Sequence, residues 1–265
     1  MAQARQLDET RKHTLLKVPV LKLPPSKLDA CLQVVARSEH GLRNEVVEGI
    51  LTHVYPGFTP KRAFRALVAP TLTRLHFARS VPPYFRFAPN GRIWEKLDGA
   101  TNASFVALVL FDFTLIRLRV PREYLPPNGN LRDAARKLGE TMVDRVRGLD
   151  ALLRHYFPKL GQAGNQTNVT TARPDAFAES KDALLELITS SAPRGQIIAV
   201  DEIRYAIMNR MLSKANLASS FVVDEWLKLA IQEGILFASR AAFATIESLI
   251  MKGYAINTVT LRPKV

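Results

Sequence analysis

Apolar residues recur along this chain in short blocks with helical spacing, cut apart by proline and glycine. Residues 1–25 read as an arm, because Lys17 to Pro25 carries three prolines and is expected to be extended. Ser26 is placed to cap a helix to about Arg37, with Leu28, Leu32 and Val35 on one face. Val46, Val47, Ile50 and Val54 give the next helix, about 42–55, its apolar stripe, and Pro56-Gly57 ends it. Thr59 with Pro60 behind it opens a short helix, which Ala69-Pro70 interrupts. Pro70 then opens a third helix, about 70–77. From His76 to Trp94 aromatic and β-branched residues suit short strands, and Asn90-Gly91 reads as a tight turn.

The run 99–120 fits two readings. Thr101 or Asn102 suits a helix cap leading through Phe113, while Val106 to Val120 has strand composition, and periodicity does not choose between them. Asn130 caps an expected helix 131–138, and Thr141 another to about Tyr156. Leu131 to Gly139 resembles the first helix and turn of a helix-turn-helix, a pattern that ordinary helical hairpins share. Residues 161–173 are polar, glycine-bearing and nearly uncharged, as a linker is. Beyond them the pattern predicts a helix from Pro174 to about Ser190 and a strand at Ile197 to Val200. Asp201 and Ser219 or Ser220 open two further helices. Ile235 to Ala238 is strand-like, Arg240 to Met251 reads as helix, and Tyr254 to Leu261 as strand.

Charge adds what the pattern cannot. The net charge is +13. Residues 1–98 carry 16 Lys and Arg against 8 Asp and Glu, residues 99–173 carry 11 against 6, and residues 174–265 carry 10 against 10. Between Glu48 and Glu95 no acid occurs, yet Lys61, Arg62, Arg65, Arg74, Arg79, Arg86 and Arg92 fall there. A folded face of one sign repels itself, and a polyanion offsets that cost. Arginine predominates, which favours bidentate contacts to phosphate or guanine. The front of the chain is therefore expected to meet nucleic acid, and the neutral back to do something else.

The order helix, short helix, proline-started helix and strand pair over about 42–97 resembles the winged helix-turn-helix family. The order over 174–265 resembles it again, without a basic face. The resemblance implies a mainly α fold with short β-hairpins. Its parts are an arm (1–25), a basic winged-helix-like domain (26–98), a helical middle region (99–160), a linker (161–173) and a neutral second winged-helix-like domain (174–265). It implies double-stranded DNA as the partner, held by Thr59, Lys61, Arg62, Arg65, Thr71, Thr73, Arg74, Arg79, Arg86, Arg92 and Lys96. Arg74 would lie on the recognition helix, and Arg79, Arg86 and Arg92 on the wing. Residues 174–265 would form a homodimer or bind a partner protein. The rival reading is a docking subunit of a chromosome-organising or defence assembly, its basic surface meeting an acidic protein.

The remaining chemistry is sparse. The single cysteine, Cys31, permits no internal disulfide, and five scattered histidines do not suggest a zinc site. No phosphate-binding glycine loop or nucleophile elbow occurs. Pro174-Asp175 with Glu179 and Lys181 resembles the Pro-Asp…Glu-x-Lys signature of a metal-dependent nuclease family. In that family the halves sit on separate strands, whereas here they share one expected helix, whose dipole favours acids at its start. Asp201-Glu202 and Asp224-Glu225 also read as acids at helix starts. The expectation is a non-enzymatic protein without cofactor or metal. Phe105 to Phe111, the longest apolar stretch, is short for a membrane helix, and the N-terminus lacks a signal-peptide core. The expected place is the cytoplasm (at the nucleoid) or a nucleus, away from membranes.

Overall fold

A computed structural model of the chain describes residues 2–36, 42–160, 168–169, 181–191, 195–245 and 248–261. These are mainly helical, with small antiparallel sheets. The buried apolar side chains form one continuous cluster.

The N-terminal segment departs from the expected arm. Ala2–Leu16 is a helix (α1), a turn closes it at Lys17 and Val18, and residues 19–24 run on as neither helix nor strand. All the prolines lie beyond Leu16, and residues 2–16 are free of glycine and rich in good helix formers. Leu15 anchors α1 in the core. Helix α2 is Pro25–Ala36, with proline in the first turn, so Ser26 lies inside it rather than capping it. Cys31 is fully buried there, and burial pushes its thiol pKa up to about 12.

Next come β1 (Leu42–Arg43) and α3 (Asn44–Val54), then a turn at Gly57, whose φ is +91°. Pro60–Ala63 (α4), a π-helical turn over Phe64–Val68, and Ala69–Arg74 (α5) follow without a break. The expected separate helices, one before and one after Pro70, are thus a single run over 60–74. Proline has no N–H and crowds the carbonyl four residues back. The wider π turn just ahead of Pro70, closed by Ala69 N–H donating to Phe64 O, takes up that crowding.

Strands β2 (Ala78–Val81) and β3 (Tyr84–Phe87) pair antiparallel around Pro82-Pro83, and β1 pairs with β3, giving the order β1-β3-β2. Asn90-Gly91 is not the hairpin turn. Both residues are buried in helix α6 (Pro89–Trp94). Asn90 donates to Leu75 O at 2.7 Å and accepts from Ser220 N at 2.9 Å, so long-range bonds override the local turn tendency. A Cβ at Gly91 would collide with Phe77 O and the Phe87 ring. Gly91→Ala is expected to destabilise by about 3 kcal/mol or more, read as a fall in thermal midpoint, because backbone cannot yield as a side chain can.

Helix α7 (Gly99–Asp112) continues into a π turn (Phe113–Arg117), so the ambiguous stretch is helical through Arg117. By length and composition Gly99–Arg117 would cross a membrane. Here residues 104–114 are all buried within the protein, which makes it a core helix. Helices α8 (Leu131–Arg136) and α9 (Glu140–Tyr156) pack on each other, and α9 also packs on α1, α2 and α7. Asn130 caps α8 by accepting from Arg132 N and Asp133 N, as expected. Thr141 is not a cap; Gly139 holds that position, with φ +121°.

Of the expected linker only Asn168–Val169 (β4) is described, and the expected helix from Pro174 is described only as α10 (Lys181–Ser191). Then follow β5 (Ile197–Ala199), α11 (Val200–Ser213), β6 (Asn216–Leu217, parallel to β4), α12 (Ser220–Gln232) and β7 (Leu236–Arg240). The helix expected over 240–251 is absent from the described part of that range. Strand β7 runs to Arg240, and β8 (Leu249–Met251) forms a hairpin with β9 (Tyr254–Leu261). The buried pairing of Leu249 with Ile256 prevails over the helical tendency of Ala241, Ala242 and Ala244, which precede it. The second sheet has the order β5-β9-β7, with β8 beside β9. Helix, strand, helix, helix and strand pair, with the last strand central, is the order of the first half, and the second half follows it with β6 inserted between the helices and β8 between the last two strands.

The start of α12 is plugged into the interior. Ser219 caps it and donates to the buried Asp112 Oδ2 at 2.6 Å, while Ser220 Oγ lies 3.0 Å from His76 Nδ1. Burial raises the Asp112 pKa from 3.8 to about 7, although the Ser219 bond opposes the shift. Folding therefore takes up a proton between these values, and stability falls as pH rises from about 4 to about 7. Asp112→Asn is expected to flatten that dependence and add up to about 4 kcal/mol at about pH 8, read by urea unfolding at about pH 5 and about pH 8.

Candidate nucleic-acid interface

The run 60–74 stands on the core through Ala63, Phe64, Val68, Thr71 and Leu72, with the Phe64 ring edge-on to Phe85 at 5.1 Å. That stripe turns Lys61, Arg62, Arg65 and Ala66 outward on one face. Among the described residues no carboxylate is within ion-pair range of Lys61 or Arg62. Arg65 meets Glu48 only at 4.0 Å, and its side chain is 68% exposed. A pair that long and wet contributes little. The Arg62 guanidinium lies 5.6 Å above the Phe58 ring. Thr59 is the exposed N-cap residue, without a side-chain capping bond.

Other expected contact residues lie elsewhere. Thr71 is buried, and its hydroxyl donates to Leu67 O at 2.9 Å, while the Thr73 hydroxyl donates to Ala69 O at 2.7 Å. Both are spent on their own helix. Arg74, at the far end of the run, is exposed, and Nη1 donates to Val20 O of the N-terminal segment at 3.5 Å.

Three of the expected cations are taken up by α11. Arg79 Nη1 pairs with Asp201 Oδ2 at 3.3 Å. Arg92 is on α6 rather than on the hairpin; its Nη1 is 3.0 Å from both Glu202 oxygens, and its guanidinium lies 3.4 Å over Tyr205. Lys96 Nζ donates to Asn209 Oδ1 at 2.7 Å. Asp201 and Glu202 do lie in the first turn of a helix, where the dipole favours acids. They also neutralise part of the anion-free segment from 110 to 122 residues away in sequence. Asp201 further pairs with the fully buried Arg204 at 2.8 Å, and Arg204 with Asp224 at 2.6 Å.

Arg86 stands directly opposite Arg79 across β3 and β2, half-buried beside the Tyr84 ring. Arg43 pairs with Tyr84 on that sheet and is exposed. It lies outside the anion-free stretch, so the charge pattern gave no signal for it. Phe58 was missed too, being one aromatic in a turn. His76 is buried and hydrogen-bonded to Ser220. Asp175, Glu179 and the Lys181 side chain lie outside the described residues. Among the described residues no group of three His, Cys, Asp or Glu side chains is arranged to hold a metal ion. Comparison with protein-family models, curated proteins and solved structures finds no match to this chain.

Proposed function

We propose that this protein is a non-catalytic DNA-binding protein that docks on duplex DNA through the helical run 60–74. The observation that carries this reading is the row of Lys61, Arg62 and Arg65, exposed on one helix face with only one long ion pair to them among the described residues. Arg43, Arg74 and Arg86 add positive charge on the same unit. Reading both units as winged helices is supported by their shared element order and by the central last strand of each sheet. In that reading 60–74 is the recognition helix and Val81 to Tyr84 the tip of a short wing. The corresponding helix of the second unit is α12, whose first five residues, Ser220 to Asp224, are all buried. A helix so enclosed does not enter a groove, and the second unit serves instead for dimerisation or for binding a partner protein.

With three or four phosphates neutralised, log K should fall against log salt with a slope of about −3. Fluorescence anisotropy on a random-sequence duplex at two salt concentrations tests this. Saturable, salt-sensitive binding agrees with the proposal. No binding at low salt refutes it and leaves the second reading, a docking surface for an acidic protein. That reading draws on the carboxylates of α11, which already engage Arg79 and Arg92.

A further inference from the structure

We infer that Phe58 reads DNA sequence, by packing its ring against the 5-methyl group of thymine in the major groove. This rests on the DNA-binding reading above and extends it from phosphate contacts to base contacts.

Phe58 is 44% exposed. Its place is nonetheless fixed: its N–H donates to Tyr55 O at 3.2 Å, and the buried Tyr55 ring meets it edge-on at 6.1 Å. One side of the ring is thus held, and Arg62 lies over it at 5.6 Å. Thr59, Lys61 and Arg62 follow it directly in the chain, at the end of the run that would enter the groove first. The charged groups exposed on that face, Lys61, Arg62 and Arg65, are cations, which hold phosphates without distinguishing sequence. Thr71 and Thr73, expected as DNA contacts, are bonded to helix carbonyls instead.

The major groove offers hydrogen-bonding edges and one apolar group, the thymine methyl. An aromatic ring has no strong donor or acceptor for those edges and fits the methyl. The flanking cations fit the phosphates on either side, so the charge around Phe58 favours duplex DNA over an apolar protein surface. Burying one methyl against a ring is expected to contribute about fourfold in affinity.

The test uses the full-length protein. Duplexes enriched by repeated selection from a randomised pool are resynthesised with uracil in place of thymine, which deletes only the methyl groups. The wild type should bind the uracil duplexes about fourfold more weakly for each thymine contacted, with an unchanged salt slope. Phe58→Ala should bind both forms alike, at the level of the wild type on uracil. Phe58→Leu, checked like Phe58→Ala by its thermal midpoint, should keep part of the difference. Equal wild-type binding to both forms, or no enrichment at all, overturns the role of Phe58 while leaving DNA binding intact. Failure to bind either form at low salt overturns the DNA-binding reading itself.

Discussion

Replacing Lys61, Arg62 and Arg65 together by alanine is expected to lower affinity for duplex DNA about five-hundredfold near 0.1 M salt. Each phosphate contact contributes about −0.9 to the slope of log K against log salt, which amounts to nearly tenfold in affinity at that concentration. Losing three contacts should flatten the slope by almost three units. The fold should survive, because all three side chains are exposed and alanine is the best helix former. Anisotropy titrations over a range of salt measure slope and affinity together. Arg92→Ala is the contrast. Its guanidinium is engaged by Glu202 and Tyr205, so the slope should stay unchanged. A slope that fell with Arg92 and not with the three helix residues would move the interface to the hairpin side.

Arg204→Met is expected to cost about 3–5 kcal/mol, read by denaturant unfolding. The Arg204 side chain is 0% exposed, between Asp201 and Asp224. Burial alone would lower its pKa, but Asp224 and then Asp201 more than offset this and hold the guanidinium above its ordinary value. Removing it takes the ion-pair partner from the buried Asp224, while Asp201 keeps Arg79. Adding Asp201→Asn and Asp224→Asn should therefore recover part of the loss, since the cost lies in unpaired charge rather than missing volume. A loss below about 1 kcal/mol for the single variant would mean the cluster does not hold α11 and α12 together.

Local signals in the sequence were read well where local forces decide the structure. Asn130 and Ser219 cap helices because their side chains reach the nearby backbone N–H groups. The start at Thr59-Pro60 was legible for the same kind of reason. The fusion of two expected helices across Pro70 was not, because a π turn leaves no mark on residue spacing. Asn90-Gly91 has the composition of a turn, yet Leu75 and Ser220 outbid that tendency from 15 and 130 residues away. Helix α7 defeated periodicity because it is apolar on every side. The charge pattern found the cations but not their occupants. Nothing near Arg79 or Arg92 in the chain announces Asp201 or Glu202, so a surplus of positive charge in the sequence does not show that both are neutralised within the molecule.

A tethered cleavage probe tests most directly which face meets DNA. Cys31 is buried and its thiol is held protonated, so a single introduced cysteine takes the label. Ala66→Cys places the probe on the exposed face of 60–74, and Ser213→Cys places it at the end of α11. Strand scission is expected from position 66 and not from position 213. Scission from position 213 alone, or from neither in a protein that binds duplex DNA, would contradict docking through the helix that carries Lys61, Arg62 and Arg65.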